Sequence, residues 1–187
     1  MKPNISTHGI KYVYATKYRS IALLFLSRWN DFLMTLETNI VDDQCQITLT
    51  ERYQNALKEI YENKSGVIYT LDSKNFKQMK DMWELEYVSD QDEIPISFEV
   101  VNNILNEINS ISRKGEIEIF HYPNRPTTIP KDDSDLVNKC AELYQLSQDK
   151  YNAIYCINRF PDLKEKIVQV FKDDFGIDLF ESDVFHG

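Results

Sequence analysis

The apolar positions of this chain change period several times along its length. Lys11–Ala15 (KYVYA) is short, aromatic and β-branched, which predicts a strand. Thr16 then stands as an N-cap for a helix. Tyr18, Ile21, Ala22, Leu24, Phe25 and Trp29 recur at three- and four-residue steps and make one apolar face. Residues 32–36 and 46–49 read as strands on either side of the acidic turn Asp42-Asp43. Between Glu51 and Asn63 the spacing is helical, with Tyr53, Ala56, Leu57, Ile60 and Tyr61 on one face. Lys64-Ser65-Gly66 ends that helix. Residues 67–71 (VIYTL) predict a strand. Phe76, Met79, Met82 and Trp83 suit a short helical turn, and 84–88 (ELEYV) alternates as a further strand. Pro95 and Ser97 precede a helix carrying Val100, Val101, Ile104, Leu105 and Ile108. Gly115 stops it, and 116–120 (EIEIF) alternates cleanly as a strand.

A shift in composition follows. Residues 122–131 (YPNRPTTIPK) hold three of the chain's six prolines and predict a stiff, extended connector. Asp132 or Asp133 opens a helix with Leu136, Cys140, Leu143 and Tyr144. Helices around 153–160 and 163–171 come next, the latter ended by Gly176. The chain therefore divides into a body over 1–122, a Pro-rich connector over 123–131 and a helical extension over 132–187. The strands are short and closely spaced, as in 32–49, which suits hairpins. The expected class is α+β, with a mixed, mostly antiparallel sheet body and a helical C-terminal extension.

Composition narrows the function classes. The chain has 187 residues, 42% of them hydrophobic, enough to bury a core. Its formal charge is -9, which disfavours general binding to nucleic acids or anionic membranes. The five glycines are too scattered for a Walker loop or a dinucleotide glycine fingerprint. Cys45, Cys140 and Cys156 include no CxxC pair and read as free thiols in a reducing cytosol. His8, His121 and His186 show no ligand spacing, so no metal site is expected. The N-terminus is polar and holds a proline, unlike a signal peptide. The longest apolar run, residues 21–26 (IALLFL), is too short to span a bilayer. Together these predict a soluble, cytoplasmic, acidic protein.

Two segments carry candidate chemistry. The first is Gly9-Ile10-Lys11-Tyr12-Val13-Tyr14-Ala15-Thr16 with the helix after it, a strand ending in an aromatic ring and a small hydroxyl residue. The second is Trp83 to Asp90 (WELEYVSD), where alternation puts Glu84 and Glu86 on one strand face and Leu85 and Tyr87 on the other. Paired carboxylates so close repel one another, so one resists ionisation or both face water. On packing alone, both segments also read as an amphipathic strand-helix pair and a solvated edge strand. A third group, His121, Tyr122, Arg125 and Lys131 in the connector, reads as solvated charge or as the lining of a groove for an acidic or phosphate ligand.

Over roughly the first half of the chain, these motifs resemble the ADP-ribosyltransferase fold. That family carries a glycine, a Tyr-Phe-Ala-like strand end and a helix, and later a strand with a Glu-x-Glu pair or Glu-Tyr-Val. The resemblance implies NAD as cofactor, with Tyr14, Thr16, Gly9 and His8 at the cofactor-binding positions. It implies Glu86 as the catalytic carboxylate that grips the ribose and stabilises the ribosyl cation, with Glu84 as its upstream partner. The family opens with a strand bearing a His or Arg that holds the ribose of NAD. Here only seven residues precede His8, so that strand is lacking or shortened. The implied activity is that of an ADP-ribosyltransferase or NAD glycohydrolase, or of a degenerate relative that binds a small nucleotide without turnover. The alternative is a non-catalytic α+β interaction or regulatory protein, acting on a protein partner or as a homo-oligomer through its helical tail.

Overall fold

The computed structural model describes residues 1–5, 11–42, 44–80 and 82–181, without the side chains of Asn4 and Ile5. His8, Gly9 and His186 lie outside the described residues. The protein is of the α+β class, with mostly antiparallel strands followed by C-terminal helices. It divides into two compact units, Met1–Pro123 and Asn124–Gly187.

The first unit holds all the strands of the described residues. β1 (Asn4–Ile5) pairs antiparallel with β2 (Lys11–Ala15). α1 (Arg19–Leu24) follows, then the hairpin of β3 (Met34–Val41) and β4 (Gln44–Glu51), turned at Asp42 with its φ of 48°. α2 (Ala56–Tyr61) leads to β5 (Gly66–Thr70), and a single 3-10 turn at Ser73–Asn75 precedes β6 (Tyr87–Ser89). β7 (Ser97–Val101), α3 (Ile104–Arg113) and β8 (Ile117–Phe120) complete the unit. Three small sheets result: β1-β2-β6, β3-β4-β8 and β5-β7. Of their pairings only β4 with β8 is parallel, with Ile47 opposite Ile117 and Thr50 opposite Phe120. One apolar core joins α1, α2 and α3 to the inner sheet faces, and Leu23, Leu24, Leu49, Tyr61, Ile104 and Ile108 are wholly or almost wholly buried in it.

Four elements depart from the spacing, and at one of them, the helical turn expected around Phe76 to Trp83, Lys77 instead bridges antiparallel to Val88. The helix after β2 stops at Leu24 and does not reach Trp29. There Ser27 donates its hydroxyl to the Ile60 carbonyl at 2.8 Å, and Asn30 accepts from the Phe32 N–H at 2.9 Å. Short polar side chains bonded in this way compete with a continuing helix. Thr16 does turn its hydroxyl to the Tyr18 N–H, at 3.3 Å, but the helix begins only at Arg19. Val100 and Val101, expected in a helix, belong to β7, as suits a β-branched pair. The helix starts after them, where the Asn103 side chain accepts from the Asn106 N–H at 2.9 Å. The expected strand over 84–88 shrinks to Tyr87–Ser89. Glu84 and Leu85 form a turn closed by the Glu86 N–H on the Trp83 carbonyl, at 2.9 Å.

The C-terminal unit contains α4 (Asp135–Ser147), α5 (Tyr151–Arg159), a 3-10 turn at Pro161–Leu163 and α6 (Lys164–Phe175). The rings of Tyr144, Phe171 and Phe175 meet at centroid distances of 4.9–5.4 Å. Cys140 and Cys156 are fully buried, and a hydrogen bond with Cys156, aided by burial, pushes the Cys140 thiol far up. In the Pro-rich segment, Arg125 pairs with Asp133 at 2.8 Å and donates to the Pro130 carbonyl at 2.7 Å. Ile129 is buried. No helix among the described residues is long and apolar enough to cross a membrane.

Candidate functional site

The cleft of the first unit is built on a strand pairing that is not visible in the local sequence. β2 and β6 run antiparallel with Tyr14 opposite Val88 and Ala15 opposite Tyr87. One step past the last pair, the chain leaves β2 at Thr16 and enters β6 at Glu86. Both residues line one cleft of about 930 Å³, together with Tyr14. Part of the lining comes from β5, whose first residue, Gly66, approaches the side chain of Leu26. A Cβ there would stand 3.1 Å from the Leu26 methyl carbons. The glycine therefore brings the strand close to the end of α1, and Leu26, Val67, Ile68 and Tyr69 all line the cleft.

Aromatic side chains make up much of the remaining lining: Tyr18, Phe25, Phe76, Trp83 and Tyr87. Phe25 packs at 6.1 Å edge-on to Trp83. Such a surface suits a planar ring, which gains both apolar burial and stacking. Charge enters from α1 and its approach. The Lys17 ammonium lies 4.7 Å from the centre of the Tyr87 ring. Arg19 donates to Glu99 Oε2 at 2.9 Å, makes a second bond to Glu99 Oε1, and reaches Glu107 Oε1 at 2.8 Å. These carboxylates hold the guanidinium firmly charged, Glu99 contributing most. In return the Arg19 hydrogen bond holds the Glu99 carboxyl below its ordinary range.

The predicted residues fall into distinct places. Tyr14, Thr16 and Glu86 converge on the cleft. Glu84 does not line it and does not share a strand face with Glu86, because the turn over Glu84 and Leu85 intervenes. Burial of Leu85 drives that turn, since its side chain is 1% exposed while Glu84 is left outside. The Cys45 thiol is raised by burial first and by the Glu84 charge second. His8 and Gly9 fall outside the described residues. Two of the connector side chains have internal partners: His121 meets Glu51 at 3.1 Å, and Arg125 meets Asp133. Among the described residues, no cluster of three or more His, Cys, Asp or Glu side chains is arranged to hold a metal ion.

Lys17 and the Arg19–Glu99–Glu107 group escaped the sequence analysis. Arg19 and Glu99 are 80 residues apart, and no spacing rule links them. The signal that was available is the placement of Lys17 and Arg19 immediately after the strand end that already marked the site.

The comparisons with known proteins add no relative to this geometry: no protein-family model matches the chain, and neither does any curated protein or any solved structure.

Proposed function

We propose that this cleft binds NAD or a closely related nucleotide, in the manner of an ADP-ribosyltransferase. One observation carries the reading: Tyr14, Thr16 and Glu86, picked out by two separate motifs, line the same cleft. Its volume suits a nucleotide, since small-molecule sites run to roughly 300–1,000 Å³. In this reading the Tyr14 ring packs on the nicotinamide and the Thr16 hydroxyl bonds its amide or the neighbouring ribose. Glu86 accepts from a ribose hydroxyl and stabilises the positive charge that develops on the sugar as nicotinamide departs. Lys17 supplies charge for the phosphates. Three thiols outside any disulfide suit a reducing, cytoplasmic setting.

The test is nicotinamide release from NAD, run beside a thermal shift with NAD. Glu86→Gln keeps the size of the side chain and removes its charge, and is expected to lower release on the order of a hundredfold. Glu84→Gln, which alters a residue outside the cleft, is expected to leave it unchanged. A second reading, binding without turnover, draws on the isolation of Glu86 from the carboxylate expected to partner it. Stabilisation by NAD with no nicotinamide release selects that reading. Neither stabilisation nor release removes both. Release that survives Glu86→Gln means that a different carboxylate acts.

A further inference from the structure

The small sheet β5-β7 has one face on the core and one in water. Along β7 the inner positions are Val101, which is buried, and Glu99, which turns to Arg19. The alternate positions point the other way. Ile96, Phe98 and Val100 are 68%, 67% and 54% exposed. Tyr69, which also borders the cleft, stands opposite Phe98 in the register and is 46% exposed, and Ile94, just before Pro95, is 85% exposed. Ile96, Phe98, Val100 and Tyr69 form an uncharged stripe, with Ile94 beyond its end in the chain. Together they expose on the order of 500 Å² of apolar surface, as large as the largest patch on a typical monomer and more than half of the roughly 800 Å² each partner contributes to a specific interface.

We propose that this face is the contact between two copies of the chain, each laying its β5-β7 sheet on the other across a two-fold axis. The order along β7 is suited to such an axis. Phe98 lies at the centre of the stripe, with Ile96 on one side and Val100 on the other. A two-fold through Phe98 stacks the two rings on each other and sets Ile96 of each copy against Val100 of its mate, so one stripe completes itself. Two sheets packed in this way form a four-stranded sandwich with about 10 Å between layers. Charge does not oppose it locally, because the nearest strand carboxylate, Glu99, lies on the far face and is paired with Arg19. Each copy nevertheless carries a formal charge of -9. Long-range repulsion should weaken the pair at low ionic strength, and salt should tighten it.

Sedimentation equilibrium of the full-length chain, from low micromolar to a few hundred micromolar, tests the proposal. A monomer–dimer equilibrium that tightens with added salt is expected. Phe98→Asp should raise the dissociation constant at least about tenfold, as loss of a central aromatic anchor does. Leu146→Asp, at an apolar residue 84% exposed on α4, should leave it unchanged. Phe98→Cys supplies a readout that does not depend on weakening anything. Two such cysteines, facing each other across about 10 Å, should be joined by a short bis-maleimide linker, whereas those of Leu146→Cys should not. A chain that stays monomeric throughout overturns the proposal. So does a dimer indifferent to Phe98→Asp, or one in which Phe98→Cys fails to cross-link while Leu146→Cys succeeds.

Discussion

Tyr61 shows how one side chain ties the first unit to its pH range. It is fully buried, and its hydroxyl donates to the Leu24 carbonyl at 2.9 Å, joining α2 to the end of α1. Burial pushes its ionisation well above the ordinary tyrosine value. The unfolded chain therefore loses this proton first, near pH 10, while the folded chain keeps it. Stability from this residue is complete below that pH and is lost progressively above it, at up to about 1.4 kcal/mol per pH unit. Urea denaturation between pH 8 and 11 should show this slope. Tyr61→Phe should flatten it, while costing about 1 kcal/mol at neutral pH for the lost hydrogen bond. An alkaline slope unchanged by the substitution would assign it to other groups. The candidate site is similarly a matter of single residues. Tyr14 and Thr16 were legible because a strand end followed by a helix can be read from five or six neighbouring positions. Glu84 was misplaced because ELEYV alternates only if Leu85 stays extended, and burial of Leu85 bends the chain instead.

At the scale of elements, local signals worked where one residue type decided the backbone. Gly176 ends α6 in the left-handed region, at a φ of 67°, and the Schellman-like closure puts its N–H on the Lys172 carbonyl at 3.1 Å. A Cβ at Gly176 would meet nothing within 4 Å, so the cost of adding one is conformational and not steric. Gly176→Ala should destabilise the helical unit by about 1 kcal/mol, read as a lower thermal midpoint, whereas Gly176→Asn should cost less. Equal midpoints for the alanine variant and the wild type would remove this account of the helix end. Strands were legible by alternation and β-branching at β2, β4, β5 and β8. β7 was not, because Val100, Val101, Ile104 and Ile108 also fit a helical step. Asn103 breaks the ambiguity through a cap that only its own geometry reveals. The same misreading hid the exposed stripe, since a helix over those positions would have turned Val100 inward.

For the molecule as a whole, the class could be read from the sequence but the pairings could not. Nothing in KYVYA specifies β6 as its neighbour, and nothing in EIEIF calls for a parallel place beside β4. The place of β8 beside β4 is made by the core to which Ile47, Leu49 and Ile117 belong, and Val13 and Val88 are buried where β2 meets β6. The C-terminal end of the first unit has its own fastening. Glu51, at the end of β4, is 6% exposed and accepts from three directions: the Leu57 N–H at 2.8 Å, the Tyr122 N–H at 3.2 Å and His121 at 3.1 Å. Tyr122 is the last residue before Pro123, where the first unit ends. Seen as a mechanical part, Glu51 is the clamp at the point where tension on the helical unit enters the first. Whatever the direction of pull, its bonds to Tyr122 and His121 lie in the load path ahead of the β4–β8 ladder. In an optical-tweezers experiment gripping the chain at its two ends, Glu51→Gln, which weakens the clamp but keeps its shape, should let β8 peel at a lower force. An unchanged rupture force would mean that the load is borne by the ladder alone.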